Sequence, residues 1–486
     1  MRLVYIDIDT LRADHLGCYG YHRNTSPNID QIATQGVRFD NCFNSDAPCL
    51  PSRAGMWMGR HGIHTGVINH GGTDADPMRE GRDRGFKSSD RYDHWPMVME
   101  KAGKYTVSVS PFALRHSAWW FYAGFREMHN TGKSGHETAD EVFPVALDWL
   151  DRNGKSDDWF LHINCWDPHA CYRTPLEYGN PFEDDPPPAW LTQETLDQHW
   201  NGYGPHSPQE AAGYGPPDPE KWPRLPAELR TIADFKKWID GYDTGIHYAD
   251  MHVGKVMQKL EELGVADDTA VLISSDHGEN QGELNIYADH HTACPITSRV
   301  PCILTWPGLT ADAMEGLHYQ SDVAATILEL WGMTVPGAWD GQSFAGTLRR
   351  GEDAGREAVV CSQNCWACQR MVRWDRYALI RTYDTGLKQF PRVMLFDLQE
   401  DPYLQHNLAE ELPAVADHGL GLLEKWHAEM MQTSDYNIDP MWNVIREGGP
   451  YHTRDDLVMY CRRLRETGRA HHADFLEQHG GRPIDL

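Results

Sequence analysis

The sequence predicts an α/β protein: a large, mostly parallel but mixed sheet sandwiched by helices, then a smaller C-terminal α+β domain containing an antiparallel sheet. Two observations carry this. Short apolar runs alternate with helical stretches through most of the chain, the pattern of a sheet covered on both faces. Past about residue 350 the character changes, and apolar runs follow one another as in an antiparallel sheet. A length of 486 residues suits two domains, and we place them at 1–350 and 351–486.

The elements follow in order. Leu3-Val4-Tyr5-Ile6-Asp7-Ile8-Asp9 reads as a buried strand ending in a carboxylate. Pro27 to Ala33 is helical, with Asn28 and Asp30 near its start. Lys104 to Val109 is a strand, Val142 to Leu150 a helix and Trp159 to Asn164 a strand. Val253, Val256, Met257, Leu260 and Leu263 recur at helical spacing, and Gly264 caps that helix. Ala270 to Ser274 is a strand running into Asp276-His277-Gly278. In such sheets the site gathers where loops leave the C-terminal strand ends. Asp9, Trp166 to His169 and Asp276-His277 all lie there. Between about 175 and 230, proline and glycine clusters mark a long irregular insertion, read as a lid-like loop or a packed surface excursion. Met371 to Tyr383 and Val393 to Leu398 supply the smaller sheet, and a helical extension follows.

Composition sets limits. The formal charge is -27, so most of the surface repels DNA, RNA and anionic membranes. An anionic substrate must therefore be held by a local cluster of cations or metal. With 18 Trp, 20 Tyr and 14 Phe, the chain has aromatic side chains enough for a core and a substrate cleft. No run approaches a membrane span. Met1-Arg2 leads into an apolar run broken by Asp7 and Asp9, without a secretory cleavage site. The 11 cysteines are irregularly spread, as reduced thiols are. Together these point to a cytoplasmic protein. A homo-oligomer is left open.

The sharpest motif is Pro48-Cys49-Leu50-Pro51-Ser52-Arg53. Its Cys-x-Pro-Ser-Arg core resembles the signature of the type I sulfatases, of the alkaline-phosphatase-like superfamily. Flanking blocks extend the resemblance, in order, over most of residues 1–410: Asp9 to Gly20, Ser26 to Asp30, Gly59-Arg60-His61-Gly62, Ser275 to Glu279, Arg299-Val300-Pro301, and Leu395 to Leu398 with Asp401-Pro402.

The resemblance implies that a separate maturation enzyme converts Cys49 to Cα-formylglycine. Its hydrate carries two hydroxyls on one carbon. One attacks sulfur; loss of the other's proton expels sulfate and restores the aldehyde, two easier steps in place of one. The resemblance further implies a divalent metal held by Asp9, Asp276, His277 and the position-49 side chain, with Asp7 as a deeper alternative. Thr10 and His277 depart from the family's Asp-Asp and Asp-Asn pairs, so manganese or magnesium stands beside calcium, the family default. Arg53, one turn from Cys49, is assigned to the formylglycine oxygen. His169 is assigned to protonating the leaving alcohol or contacting sulfate. The family's Lys-x-His has no clean copy. His116 takes its place as the base releasing sulfate, with Arg115 as a charge partner. His290, preferred over its neighbour His291, falls where the family supplies a cation to sulfate, which ties binding to pH. Trp166 and Arg173, near Trp119-Trp120 and Tyr172, suit a sugar or aryl group, although packing is the alternative for these aromatics.

The implied activity is sulfate release from a small sulfated saccharide. A phosphonate monoester or phosphodiester substrate is the alternative on the same fold. From another class, Cys361, Cys365 and Cys368 have the spacing of an iron–sulfur motif, which leaves a redox or non-catalytic binding protein as a third reading.

Overall fold

The computed structural model describes residues 1–77, 93–310, 312–434 and 438–482. A nine-stranded sheet forms the centre. Its middle strand is Arg2–Ile8, flanked in parallel by Trp159–Cys165 and Thr269–Ser274, with Asp7 opposite both Asn164 and Ser274. Tyr105–Val109 and Glu127–His129 continue one side in parallel. On the other side Cys302–Thr305 runs antiparallel, then Val37–Phe43, which also pairs with Arg299–Val300 and Asp312–Tyr319. The sheet is thus mixed but mostly parallel, as predicted. Its three central strands are buried at every position, which requires cover on both faces.

The alternation along Arg2–Ile8 decides what faces what. Val4, Ile6 and Ile8 pack with the helices Ala139–Asn153 and Ile232–Leu263. Leu3 and Tyr5 pack on the opposite face with the helices Cys49–Met58 and Gln320–Leu330. Asp7 continues the Leu3–Tyr5 series, so it points toward the helix carrying Cys49. Ile232–Leu263 starts at a Thr231–Asp234 capping box and stops at Gly264, which is left-handed at φ 70, as the spacing predicts.

The smaller sheet joins Ala358–Gln363, Cys368–Trp374, Tyr377–Asp384 and Val393–Asp397 in antiparallel order. A fifth strand, Asp46–Ala47, adds in parallel to Ala358–Gln363. Those two residues stand just before Cys49, so the smaller sheet grips the segment leading into the helix that Cys49 opens. The helix Pro413–Thr433 covers this sheet through Ala416 and Leu423.

The stretch 175–230 carries the helix Gln193–Asn201 and buries Leu191, Leu196, Leu225 and Leu229. Buried Glu210 receives Arg463 and Arg469 from the two C-terminal helices, Leu457–Glu466 and Ala470–His479. Among the described residues no helix is long and apolar enough to cross a membrane.

Candidate active site

Three elements bring the chemistry together. The first strand and the loop after it supply Asp7 and Asp9. The ten-residue helix Cys49–Met58 supplies Cys49 at its first position and Arg53 one turn on. The loop after Thr269–Ser274 supplies Asp276 and His277. Backbone ties fix this loop. Thr10 N donates to Asp276 Oδ1 at 3.2 Å, and both Ser52 Oγ (2.5 Å) and Asn44 Nδ2 (2.9 Å) donate to the Asp276 carbonyl.

Arg53 sits under all three carboxylates. Its Nε is 2.8 Å from Asp7 Oδ2, and its Nη1 is 3.0 Å from Asp9 Oδ2 and 2.5 Å from Asp276 Oδ2. Its Nη2 is buried without a protein partner, which leaves both of its N–H donors free. Burial would raise Asp7, but Arg53 and His162 outweigh it and hold its carboxyl below the usual range. Asp276 is pushed up to about 6, by burial first, with Asp9 adding repulsion that Arg53 only partly offsets. One guanidinium therefore leaves the three carboxylates short of positive charge.

That shortage fits a divalent cation. Asp9, Cys49, Asp276 and His277 each offer a ligand atom, and these atoms lie within 4.8 Å of one another. Asp9 Oδ1 is buried and has no hydrogen-bond partner, which is costly unless a cation satisfies it. Asp7 stays outside the group, because Arg53 and His162 hold it. Two carboxylates and an imidazole suit a hard or borderline ion. Cys49 Sγ lies 3.1 Å from His277 Nε2. Burial, with Asp9 and Asp276 nearby, pushes its thiol well up, so an unmodified Cys49 stays protonated and weakly nucleophilic in these surroundings.

A cavity of about 710 Å³ opens beside Cys49, and Arg115, His116, His169 and His290 line it. His169 Nε2 is 4.0 Å from Asp9 Oδ1, and its Nδ1 bonds the Ala170 carbonyl. Burial and the charge of Arg115 push His116 down, and its Nε2 is unpaired, so it is neutral and can accept a proton. The His290 ring lies 4.3 Å from that of His277. Arg115 sits 4.9 Å over Trp166.

Three predicted contacts lie off the cavity wall. Trp166 is fully buried and is covered by the Arg115 and Arg53 guanidiniums, so its face is already used. His291 stacks on Trp366 at 3.9 Å and joins His206 and Asp289 in a second, mostly buried group. Arg173 bonds the Ala170 carbonyl at 3.3 Å. Of the adjacent tryptophans, Trp120 is buried and Trp119 is exposed.

The cavity also contains residues that sequence reasoning missed: His70, Asp289, Trp366 and His452. Tyr451 joins them from the C-terminal stretch. Cys361, Cys365 and Cys368 are buried in different surroundings. Cys361 packs with Phe43 and Met371, Cys365 Sγ points at the Ile68 carbonyl, and Cys368 packs with Met441 and Val444. None belongs to a group that could hold a single metal ion among the described residues.

A family model described as Sulfatase matches residues 2–333. Mouse (Mus musculus) iduronate 2-sulfatase is 25% identical over 358 residues, covering 64% of this chain and 60% of that protein. The chain therefore spans less than two thirds of that relative's length. Among solved structures, a protein in complex with its substrate D-glucosamine-2-N,6-O-disulfate superposes with a TM-score of 0.72 at 18% identity, covering 90% of this chain and 99% of the other. A phosphonate monoester hydrolase from Silicibacter pomeroyi has a TM-score of 0.65 at 21% identity, covering 90% and 96%.

Proposed function

Since the chain belongs to the sulfatase family, we propose that it releases inorganic sulfate from a small sulfated carbohydrate through a formylglycine made from Cys49. One juxtaposition carries this reading. Cys49 opens a buried helix within 4.8 Å of ligand atoms from Asp9, Asp276 and His277, with Arg53 beneath. The maturation enzyme is the partner this requires.

Asp9, Asp276, His277 and the position-49 side chain would hold a divalent cation, calcium with manganese or magnesium as alternatives. It would supply the positive charge that lets an anionic sulfate ester approach. The formylglycine hydrate would supply one hydroxyl to attack sulfur and a second whose deprotonation expels sulfate.

The chain's own groups divide the remaining work. Arg53, with Nη2 free, donates to the oxygen at position 49. Arg115 and His290 bind the sulfate oxygens. His169, once protonated at Nε2 while its Nδ1–H stays on the Ala170 carbonyl, gives the leaving alcohol that proton. His116, neutral and unpaired, takes the proton that releases sulfate. The carbohydrate reading draws support from the iduronate 2-sulfatase relative and from the aminosugar disulfate bound by a protein of the same fold.

A phosphonate monoester or phosphodiester substrate is the second reading, supported by the shared fold. Mass spectrometry of the peptide bearing residue 49, followed by a sulfated-saccharide screen read as sulfate release, tests the first. Faster turnover of a phosphonate monoester than of every sulfate ester would favour the second.

A further inference from the structure

One wall of the cavity takes no part in the sulfur chemistry. His70 and His452, 382 positions apart, are joined Nδ1 to Nε2 at 2.8 Å. Both line the cavity, with Tyr451 and Trp366 beside them. The indole of Trp366 stacks on His452 at 4.6 Å and 24°. Tyr451 is 46% exposed and lies against Gly71, where a Cβ would come within 2.2 Å of its ring. The segment is fastened on two sides: His452 N donates to the Cys365 carbonyl and Tyr214 Oη to the His452 carbonyl, each at 3.0 Å.

The wall has unspent hydrogen-bonding capacity. His70 Nε2 is buried without a protein partner, and the His70 ring stands 5.0 Å from that of His116. An unpaired nitrogen beside a cavity is costly unless water or a ligand meets it. Asp76 adds a carboxylate at the rim. Hydroxyl-seeking groups beside flat aromatic faces match a ring that is polar at its edge and apolar on its C–H face. Burial pushes His70 down and His452 to about 4, so near neutral pH neither seeks a second anion.

We propose that His70, Tyr451 and His452 form a subsite for an uncharged, polyhydroxylated sugar ring, the part of the substrate that departs as alcohol. Departure as alcohol rests on the sulfatase reading. The sugar contact itself does not.

Saturation-transfer NMR on the full chain, with N-acetylglucosamine, galactose and fucose as unsulfated probes, tests this. At least one probe should bind, and Tyr451→Ala and His452→Ala should each weaken that binding tenfold or more. His452→Gln, which keeps an amide facing His70, should return it to within threefold of wild type. Tyr451 is exposed enough that its truncation spares the fold. Binding of no probe to the wild type, or undiminished binding in both alanine variants, overturns the proposal. Sugar binding lost in both variants, with no sulfate released from any sulfated saccharide by the wild type, would sink the proposed function and leave this subsite standing. Sulfate release with sugar binding unaltered in both would do the reverse.

Discussion

The Arg53 guanidinium lies 2.5 Å from the Asp276 carboxylate, across 223 positions of sequence, and neither group is open to solvent. Removing Arg53 leaves Asp7, Asp9 and Asp276 buried together without the guanidinium that pairs with all three. Breaking such a pair from one side costs about 3–5 kcal/mol. Arg53→Ala should therefore lower the melting temperature as well as kcat, the latter by about 10²-fold or more if Nη2 serves the reacting oxygen. Arg53→Lys should recover part of the stability and little of the rate, because an ammonium cannot reach three carboxylates with fixed geometry. Thermal denaturation beside steady-state kinetics checks both.

Chelation should act in the same direction. With Asp9 Oδ1 unpaired and Asp276 raised to about 6, the carboxylates repel one another until a cation arrives. Added calcium, manganese or magnesium should raise the melting temperature with concentration, the stabilisation reaching about 2.7 kcal/mol at a hundredfold excess over Kd. Asp276→Asn should flatten that dependence. A melting temperature indifferent to both EDTA and added cations would contradict the proposed metal site.

Much of this centre was legible in the sequence because it rests on local patterns. A strand ending in Asp9, a helix opening at Cys49 and a strand running into Asp276 each have a recognisable period and end. Parallel packing then places the three ends side by side. The strand Asp46–Ala47 is too short to show a period. The His70–His452 pair has no local signature at all, since only the folding back of the C-terminal stretch creates it. His290 and His291 are indistinguishable as neighbours in sequence. One residue of backbone rotation sends His290 toward His277 and His291 under Trp366.

His290 gives a pH prediction. Burial and the neighbouring His277 push it well below the ordinary imidazole range. In the free enzyme it is therefore neutral at pH 7 and gains its proton only on the acid side. If it binds sulfate as a cation, its contribution to kcat/KM should grow as pH falls. A lysine there stays charged to higher pH. The ratio of His290→Lys to wild-type kcat/KM should accordingly be larger at pH 8 than at pH 5.5. A ratio independent of pH would rule out a cationic role for this side chain.

Asp439 fastens the C-terminal stretch to the smaller sheet. Its Oδ2 is 2.7 Å from Arg370 Nη2 and 3.0 Å from His427 Nε2. Burial alone would raise its carboxyl, but Arg370 and His427 bring it down to about 2. A depressed carboxylate contributes stability above its unfolded value near 3.8 and loses it as pH falls through about 2. The shift corresponds to about 2 kcal/mol. Asp439→Asn should thus be less stable than wild type by about that amount at pH 6, and the gap should narrow to about half by pH 3. Urea denaturation at the two pH values measures the difference. Because this anchor lies only a dozen residues before Tyr451 and His452, the same variant should also weaken sugar binding at their wall of the cavity.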